Sequence, residues 1–128
     1  MKHHPPSASE AKQMDTTCIF CKIAAGQIPV KTVLEEPDLV AFHDLNAQAP
    51  VHVLVIPREH IANLAAATSE HEGLLGRLLL AASLVAAETG VRDSGFRVVI
   101  NAGPDGGQSV DHLHLHVLGG RSLGWPPG

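Results

Sequence analysis

The residues best suited to chemistry are His112-Leu113-His114-Leu115-His116, three histidines at every second position with Val117-Leu118 extending the apolar run. A β-strand repeats its side-chain direction every two residues. Read as a strand, this stretch puts all three imidazoles in a row on one face and sends Leu113, Leu115 and Val117 into a core. Neighbouring rings then start ~6.5–7 Å apart at the backbone, close enough to organise one reacting centre or one metal. A polar strand face that merely meets water is the ordinary alternative. It explains one histidine better than three, because each ring needs partners that settle which nitrogen carries the proton.

Around that stretch the chain reads as alternating short strands and two helices. Cys18 to Ala25 is a short helix with Ile19, Phe20 and Ile23 on one face, stopped at Gly26. Val30 to Glu35 and Leu39 to His43 are strands separated by the turn residues Glu36-Pro37-Asp38. Asp44 to Pro50 is a loop, and Val51 to Ile56 is a β-branched third strand ended by Pro57. Ile61 to Ala66 fits one helical turn. Ser69 and Glu72 have capping-box spacing ahead of a long helix, on which Leu74, Leu75, Leu78, Leu79, Ala82, Val85 and Ala86 recur and which Gly90 closes. Phe96 to Asn101 is a fourth strand, and Ala102 to Gln108 a glycine-rich turn. Val110 to Leu118 is a fifth strand, which carries the histidines, and residues 123–128 form an irregular end. The expected class is α+β, an antiparallel five-stranded sheet with one long and one short helix.

With 128 residues, 45% of them hydrophobic, the chain suits one domain that buries roughly two thirds of its unfolded surface. Aromatics make up 3%, so aliphatic packing must dominate the core. A formal charge of -4 leaves no basic excess for a nucleic-acid polymer, although a small phosphate ligand needs only local donors. Residues 1–16 contain His3-His4-Pro5-Pro6 and little that is apolar; they read as a mobile tail without the apolar centre of a signal peptide, ahead of a domain at 17–128. The longest apolar run, Leu78 to Ala87, is too short for a bilayer. No membrane partner and a cytoplasmic location are the expectations. Cys18 and Cys21 form a C-x-x-C, a spacing that points to metal or redox chemistry before a structural disulfide.

Gly106-Gly107-Gln108-Ser109-Val110, running into the three histidines and Gly119-Gly120, resembles the signature of the histidine triad (HIT) family. The ending Trp125-Pro126-Pro127-Gly128 resembles its Hint branch of nucleoside phosphoramidases. Further likeness lies at Ile19-Phe20, Ala41-Phe42 with Asp44, Ala49-Pro50 with His52, Val55-Ile56-Pro57 and His60, so it runs from about Cys18 to the last residue.

The resemblance implies a hydrolase that cleaves the P–N bond of purine nucleoside 5′-phosphoramidates through a nucleotidyl-histidine intermediate and releases AMP- or GMP-type nucleotides. A dinucleoside polyphosphate hydrolase or nucleotidyl transferase of a sister branch, or a protein that only binds nucleotides, is the alternative. His114 matches the nucleophile, and a neutral imidazole is nucleophilic near pH 7 without a separate base. His116 matches a phosphate contact, His112 an orienting group and His52 a histidine bonded into the triad, where pattern alone allows a polar residue on an open sheet face. Gly107 and Gln108 match backbone donors beside the phosphate, an expected concave nest of N–H groups. Ser109 matches a hydroxyl near the leaving amine, and Asn101 a further phosphate-side contact. Asp44 matches the acceptor of both ribose hydroxyls, though an Asp after a strand is also ordinary turn chemistry. Ile19, Phe20, Ile23, Phe42, Leu45 and Leu54 match apolar walls of a base pocket; on pattern alone most are core.

In relatives with the cysteine pair the ligands of a structural zinc match Cys18, Cys21, His60 and His112, while catalysis needs no metal. A reduced pair of helix cysteines is the other reading. The family also implies a homodimer built on the long helix, with the Trp125 end near the partner's site; an ordinary core helix is the alternative. Asp111, where many relatives carry an aromatic, and Gly124 depart from the pattern.

Overall fold

The chain's computed structural model describes residues 17–128. The expected tail at residues 1–16 lies outside the described residues. The short helix α1 (Ile19–Ala24) is followed by β1 (Thr32–Glu35), β2 (Leu39–His43) and β3 (Val51–Pro57). Two 3-10 turns, Leu64–Ala66 and Ser69–His71, lead into the long helix α2 (Glu72–Glu88), and β4 (Phe96–Val99) and β5 (Leu115–Gly119) complete the fold. All strand pairs are antiparallel, in the order β1-β2-β3-β5-β4.

β3 is the middle of this sheet, and its composition explains why. Six of its seven residues are buried, because both sheet faces are covered there. On one face Leu39, Ala41, Val53, Val55, Leu115 and Val117 meet Leu74, Leu78, Ala81, Ala82 and Val85 of α2. On the other Val40, Phe42, Leu54 and Ile56 meet Phe20, Ile23 and Ala24 of α1. His52 and His116 alternate with the first set, so they share the α1 face, where His116 stands opposite Leu54 in the ladder.

Several boundaries differ from the sequence reading. The fifth strand begins at Leu115, not Val110, because the amides before it bond elsewhere: His112 N–H goes to Val110 O and Leu113 N–H to Ile61 O. Only His116 of the three histidines is therefore in a strand. The first strand starts at Thr32 and the fourth ends at Val99, short of Asn101. The capping box sits one residue earlier than expected: Thr68 Oγ1 accepts from Glu70 N–H, and His71 Nδ1 accepts from Thr68 N–H. Leu79 is exposed with Leu80 and Leu84, so the apolar repeat of α2 is broader than the face the sheet covers. Gly90 has φ +79°, the left-handed turn at the helix end that only glycine adopts without strain. Among the described residues no helix is long and apolar enough to cross a membrane.

The sheet holds the site by way of this packing, so its weakest substitution is a void under β3. Leu78 is 0% exposed between α2 and the sheet. Leu78→Ala should lower unfolding free energy by about 2–5 kcal/mol in urea titration, whereas Leu64→Ala on the exposed 3-10 turn should stay within about 0.5 kcal/mol.

Candidate active site and an adjoining metal cluster

The three triad rings share one side of the chain even though two of them precede the strand. Leu113 and Leu115 are buried in the α2-side core, which turns His112, His114 and His116 the other way. The rings of His114 and His116 lie 4.9 Å apart, centre to centre. His114 Nδ1 lies 2.7 Å from the carbonyl oxygen of His112. A carbonyl can only accept, so Nδ1 carries the proton and the lone pair of His114 is on Nε2. That is the state of a nucleophile or ligand.

A second chain of hydrogen bonds gives His116 the opposite character. Gln48 N–H donates to His52 Nδ1 at 3.0 Å, which leaves the His52 proton on Nε2. From there it is donated to His116 Nδ1 at 2.9 Å, with Asp44 Oδ2 a longer second acceptor at 3.4 Å. His116 must then carry its own proton on Nε2, and this buried atom has no hydrogen-bond partner. An orphan buried donor is costly unless a ligand completes it. One imidazole thus offers a lone pair and its neighbour an N–H.

Burial keeps His52, His112 and His116 neutral. It lowers the pKa of His116 to about 4, aided by His114 and His52 and opposed by Asp44. Burial likewise lowers His112 to about 4 against the pull of the Pro57 carbonyl, with His60 and His114 adding to the lowering. His52 is lowered by burial, with Asp44 opposing.

Phe20 closes one side of the site. Its ring stands edge-on to His114 at 5.1 Å, to His112 at 5.9 Å and to Phe42 at 5.8 Å. Ile23 and Leu54 are buried beside it, whereas Ile19 and Leu45 are exposed. Asp44 is half-buried and its Oδ1 accepts from Asn46 N–H, the turn role that pattern alone allows, while Oδ2 faces His52. The glycine-rich loop departs from the expected nest. Gly107 N–H is turned onto Pro104 O and Gln108 N–H onto Gly103 O, so neither is an open donor. The Gln108 amide braces the loop, accepting from Gly103 N–H and donating to Ala62 O and Val110 O. Gly106 permits the fold of the loop, since a Cβ there would meet Ala102 O at 2.4 Å. Ser109 is exposed and Asn101 half-buried. Sequence reasoning missed Gln48, Pro57 and Ile61, which act through backbone groups and so leave no side-chain signal.

Cys18, Cys21, His60 and His112 converge from three separate segments, with their ligand atoms all within 4.8 Å of one another. His112 Nδ1 is 3.3 Å from Cys18 Sγ, 3.5 Å from Cys21 Sγ and 3.2 Å from His60 Nδ1, and Cys21 Sγ is 3.2 Å from His60 Nδ1. A tetrahedron on Zn–S ~2.3 Å and Zn–N ~2.0 Å has edges of about 3.3–3.8 Å. The tautomer fits too: His112 Nε2–H donates to Pro57 O at 2.8 Å, so Nδ1 presents a lone pair to the cluster. Thiol or imidazole protons would satisfy these approaches only in pairs; a central cation would satisfy all of them at once. The trio Asp44, His52 and His116 is also tightly spaced. A cation there would require His52 to give up its Nε2 proton while Nδ1 accepts from Gln48, which makes an imidazolate. The trio is held by a proton.

A family model described as HIT domain matches residues 25–123. The chain is 45% identical over 130 residues to a protein of Arabidopsis thaliana named Adenylylsulfatase HINT1, covering 100% of this chain and 88% of that protein. It is 48% identical over 116 residues to a protein of Zea mays named 14 kDa zinc-binding protein, covering 89% and 90%. Among solved structures, a HIT family hydrolase from Legionella pneumophila superposes with a TM-score of 0.85 at 45% identity, covering 87% of this chain and 99% of that one.

The depressed histidines carry a sign. The folded pKa of His116, about 4, lies below the unfolded value of 6.5, so between these the unfolded chain binds the proton first. Stability should therefore fall as pH drops from 6.5 to 4, by on the order of 2 kcal/mol from this group. Urea titrations across that range should show a shallower slope in His116→Asn than in the wild type.

Proposed function

The chain belongs to the HIT family, and from that premise we propose that it is a Hint-type hydrolase of purine nucleoside 5′-phosphoramidates. The observation that carries this reading is the pairing of a free Nε2 lone pair on His114 with an unpartnered Nε2–H on His116. A phosphoryl centre needs both at once: a nucleophile for phosphorus and a donor for a non-bridging oxygen.

In this mechanism the His114 Nε2 lone pair forms a bond to the α-phosphorus while the P–N bond to the amine breaks. The electron pair leaves with the amine, which takes a proton from solvent water as it departs. His114 Nδ1–H stays on the His112 carbonyl and stabilises the positive charge that develops on the ring. His116 Nε2–H binds a phosphoryl oxygen, held in its tautomer by His52 and Gln48. Water then attacks phosphorus and releases a proton to solvent, the P–N electron pair returns to His114 Nε2, and the nucleoside monophosphate leaves. Ser109, at the exposed end of the glycine-rich loop, assists the amine, and Asn101, Gly107 and Gln108 shape the phosphate side. Asp44 accepts from the ribose hydroxyls, as the two oxygens of a carboxylate can. Phe20, Ile23, Phe42 and Leu54, with the exposed Ile19 and Leu45, line the base. An apolar wall of this kind selects weakly among bases.

A second reading uses the same attack on a different leaving group. The Arabidopsis relative is named an adenylylsulfatase. In adenylyl sulfate the departing group is sulfate, an anion that needs no proton to leave. A second copy of the chain is the proposed partner: Leu79, Leu80 and Leu84 form an exposed apolar strip on α2, and Trp125 is exposed at the chain end.

The cluster of Cys18, Cys21, His60 and His112 holds a structural zinc in this reading, supported by its donor set and by the name of the maize relative. Bound there, zinc ties together three segments and performs no step on substrate. Metal analysis should find one zinc per chain, lost in Cys18→Ser together with several degrees of melting temperature; a metal-free wild type of equal stability would reject it.

Adenosine 5′-phosphoramidate, adenylyl sulfate and a diadenosine polyphosphate assayed side by side will test the assignment. The phosphoramidate should turn over fastest, and His114→Ala should reduce kcat by at least about a thousandfold, as loss of a nucleophile does. Equal rates in the variant would remove the nucleophile, and preference for the polyphosphate would move the chain to a sister activity.

A further inference from the structure

We infer that the Cys18, Cys21, His60 and His112 cluster positions the nucleophile: it holds the peptide plane between His112 and Leu113, and that plane sets the tautomer and aim of His114. The catalytic half of this inference rests on the reading of His114 as nucleophile; the structural half does not.

The peptide plane is gripped at both ends. Its N–H, on Leu113, donates to Ile61 O at 2.6 Å. Its carbonyl, on His112, accepts from His114 Nδ1 at 2.7 Å. Ile61 follows His60, and His112 bears the carbonyl itself, so both grips are one residue or less from a cluster ligand. No sheet ladder does this work, because β5 starts only at Leu115. Leu113 in the α2-side core and the His112 Nε2–H bond to Pro57 O add support that does not pass through the cluster, whereas the support from the α1 side does pass through it. Phe20, edge-on to His112 and His114, lies between Cys18 and Cys21 on a helix of six residues. A helix that short does not hold itself.

The consequence follows from hydrogen-bond polarity. With the carbonyl toward His114, Nδ1 is protonated and Nε2 is free to attack. If the plane turns over, it presents an N–H to Nδ1. The proton then moves to Nε2 and the lone pair faces away from the phosphoryl site. Releasing His60 and His112 from a common centre loosens both grips on the plane and leaves the buried Leu113 side chain and the Pro57 bond to resist that turn. Cys18, Cys21 and His60 are in this sense positioning residues, although none of them touches substrate.

The test compares zinc-loaded, chelator-stripped and reloaded wild-type protein. Long-range proton–nitrogen NMR of the histidine rings reports the His114 tautomer without any substrate, and steady-state kinetics with adenosine 5′-phosphoramidate report kcat and KM separately. Loaded protein should show a single Nδ1–H tautomer at His114. Stripped protein should show a mixture, with kcat lower by about ten- to a hundredfold and KM little changed, and reloading should restore both. Leu78→Ala, destabilised from the opposite sheet face, should keep the tautomer and kcat of the wild type. A stripped protein that stays folded with His114 and kcat unaltered would overturn the inference. If stripping unfolds the chain, cadmium-loaded protein decides: the larger ion should shift the His114 nitrogen signals and kcat, and no shift would overturn it. Full turnover in His114→Ala, together with a wild-type His114 tautomer that still follows the metal, would defeat the nucleophile reading and leave the structural coupling standing.

Discussion

One hydrogen bond, from His114 Nδ1 to the carbonyl of His112, decides what the histidine triad can do. Imidazole is ambiguous by nature, with two nitrogens and one proton at neutral pH. A carbonyl partner ends that ambiguity because it cannot donate. The Gln48 amide removes the ambiguity of His52 in the other sense, and His52 passes the choice to His116. Neighbouring rings of the same residue type thereby acquire opposite roles. Burial supports the arrangement by keeping His52, His112 and His116 uncharged, since a protonated ring would lose its accepting nitrogen.

The fold serves this through the two unlike faces of one sheet. The α2 face is an aliphatic core, continuous from Leu39 to Val117, and it gives the sheet its rigidity. The α1 face is smaller and mixes apolar residues with His52 and His116. β3 belongs to both, with Val53 and Val55 directed to α2 and His52, Leu54 and Ile56 to α1. A site on the rim of a packed sheet is more exact than one on loops alone. Here β3 supplies His52 and β5 supplies His116, while the segment before β5 supplies His112 and His114.

The two histidine systems meet at His112. Its ring belongs to the sulfur–nitrogen cluster, its Nε2–H to Pro57, and its backbone carbonyl to His114. The residue is buried completely, so its three attachments restrain one another. The triad is thus divided into one ring directed at the cysteines and two rings, His114 and His116, that lie against each other.

Much of this was legible in the residues alone. Alternation of His with Leu and Val through residues 112–117 determined which side chains face the core, since period-two order survives even where the ladder does not. The spacing of Leu74, Leu78, Ala82 and Val85 determined a helix, and Gly90 its end. Cys18 and Cys21 with His60 and His112 were legible as one donor set only through likeness to relatives, because they stand far apart in the chain. Tertiary structure alone decided the rest. It cut the fifth strand back to Leu115, as Leu113 N–H found Ile61 rather than a strand neighbour. It turned the amides of Gly107 and Gln108 into their own loop. It also assigned the ring protons of His52, His112 and His114 through backbone groups of Gln48, Pro57 and His112, and that of His116 through His52. The physical reason is common to all three: a backbone amide or carbonyl is the same in every residue, so its partner is chosen by position in space and leaves no trace in residue type.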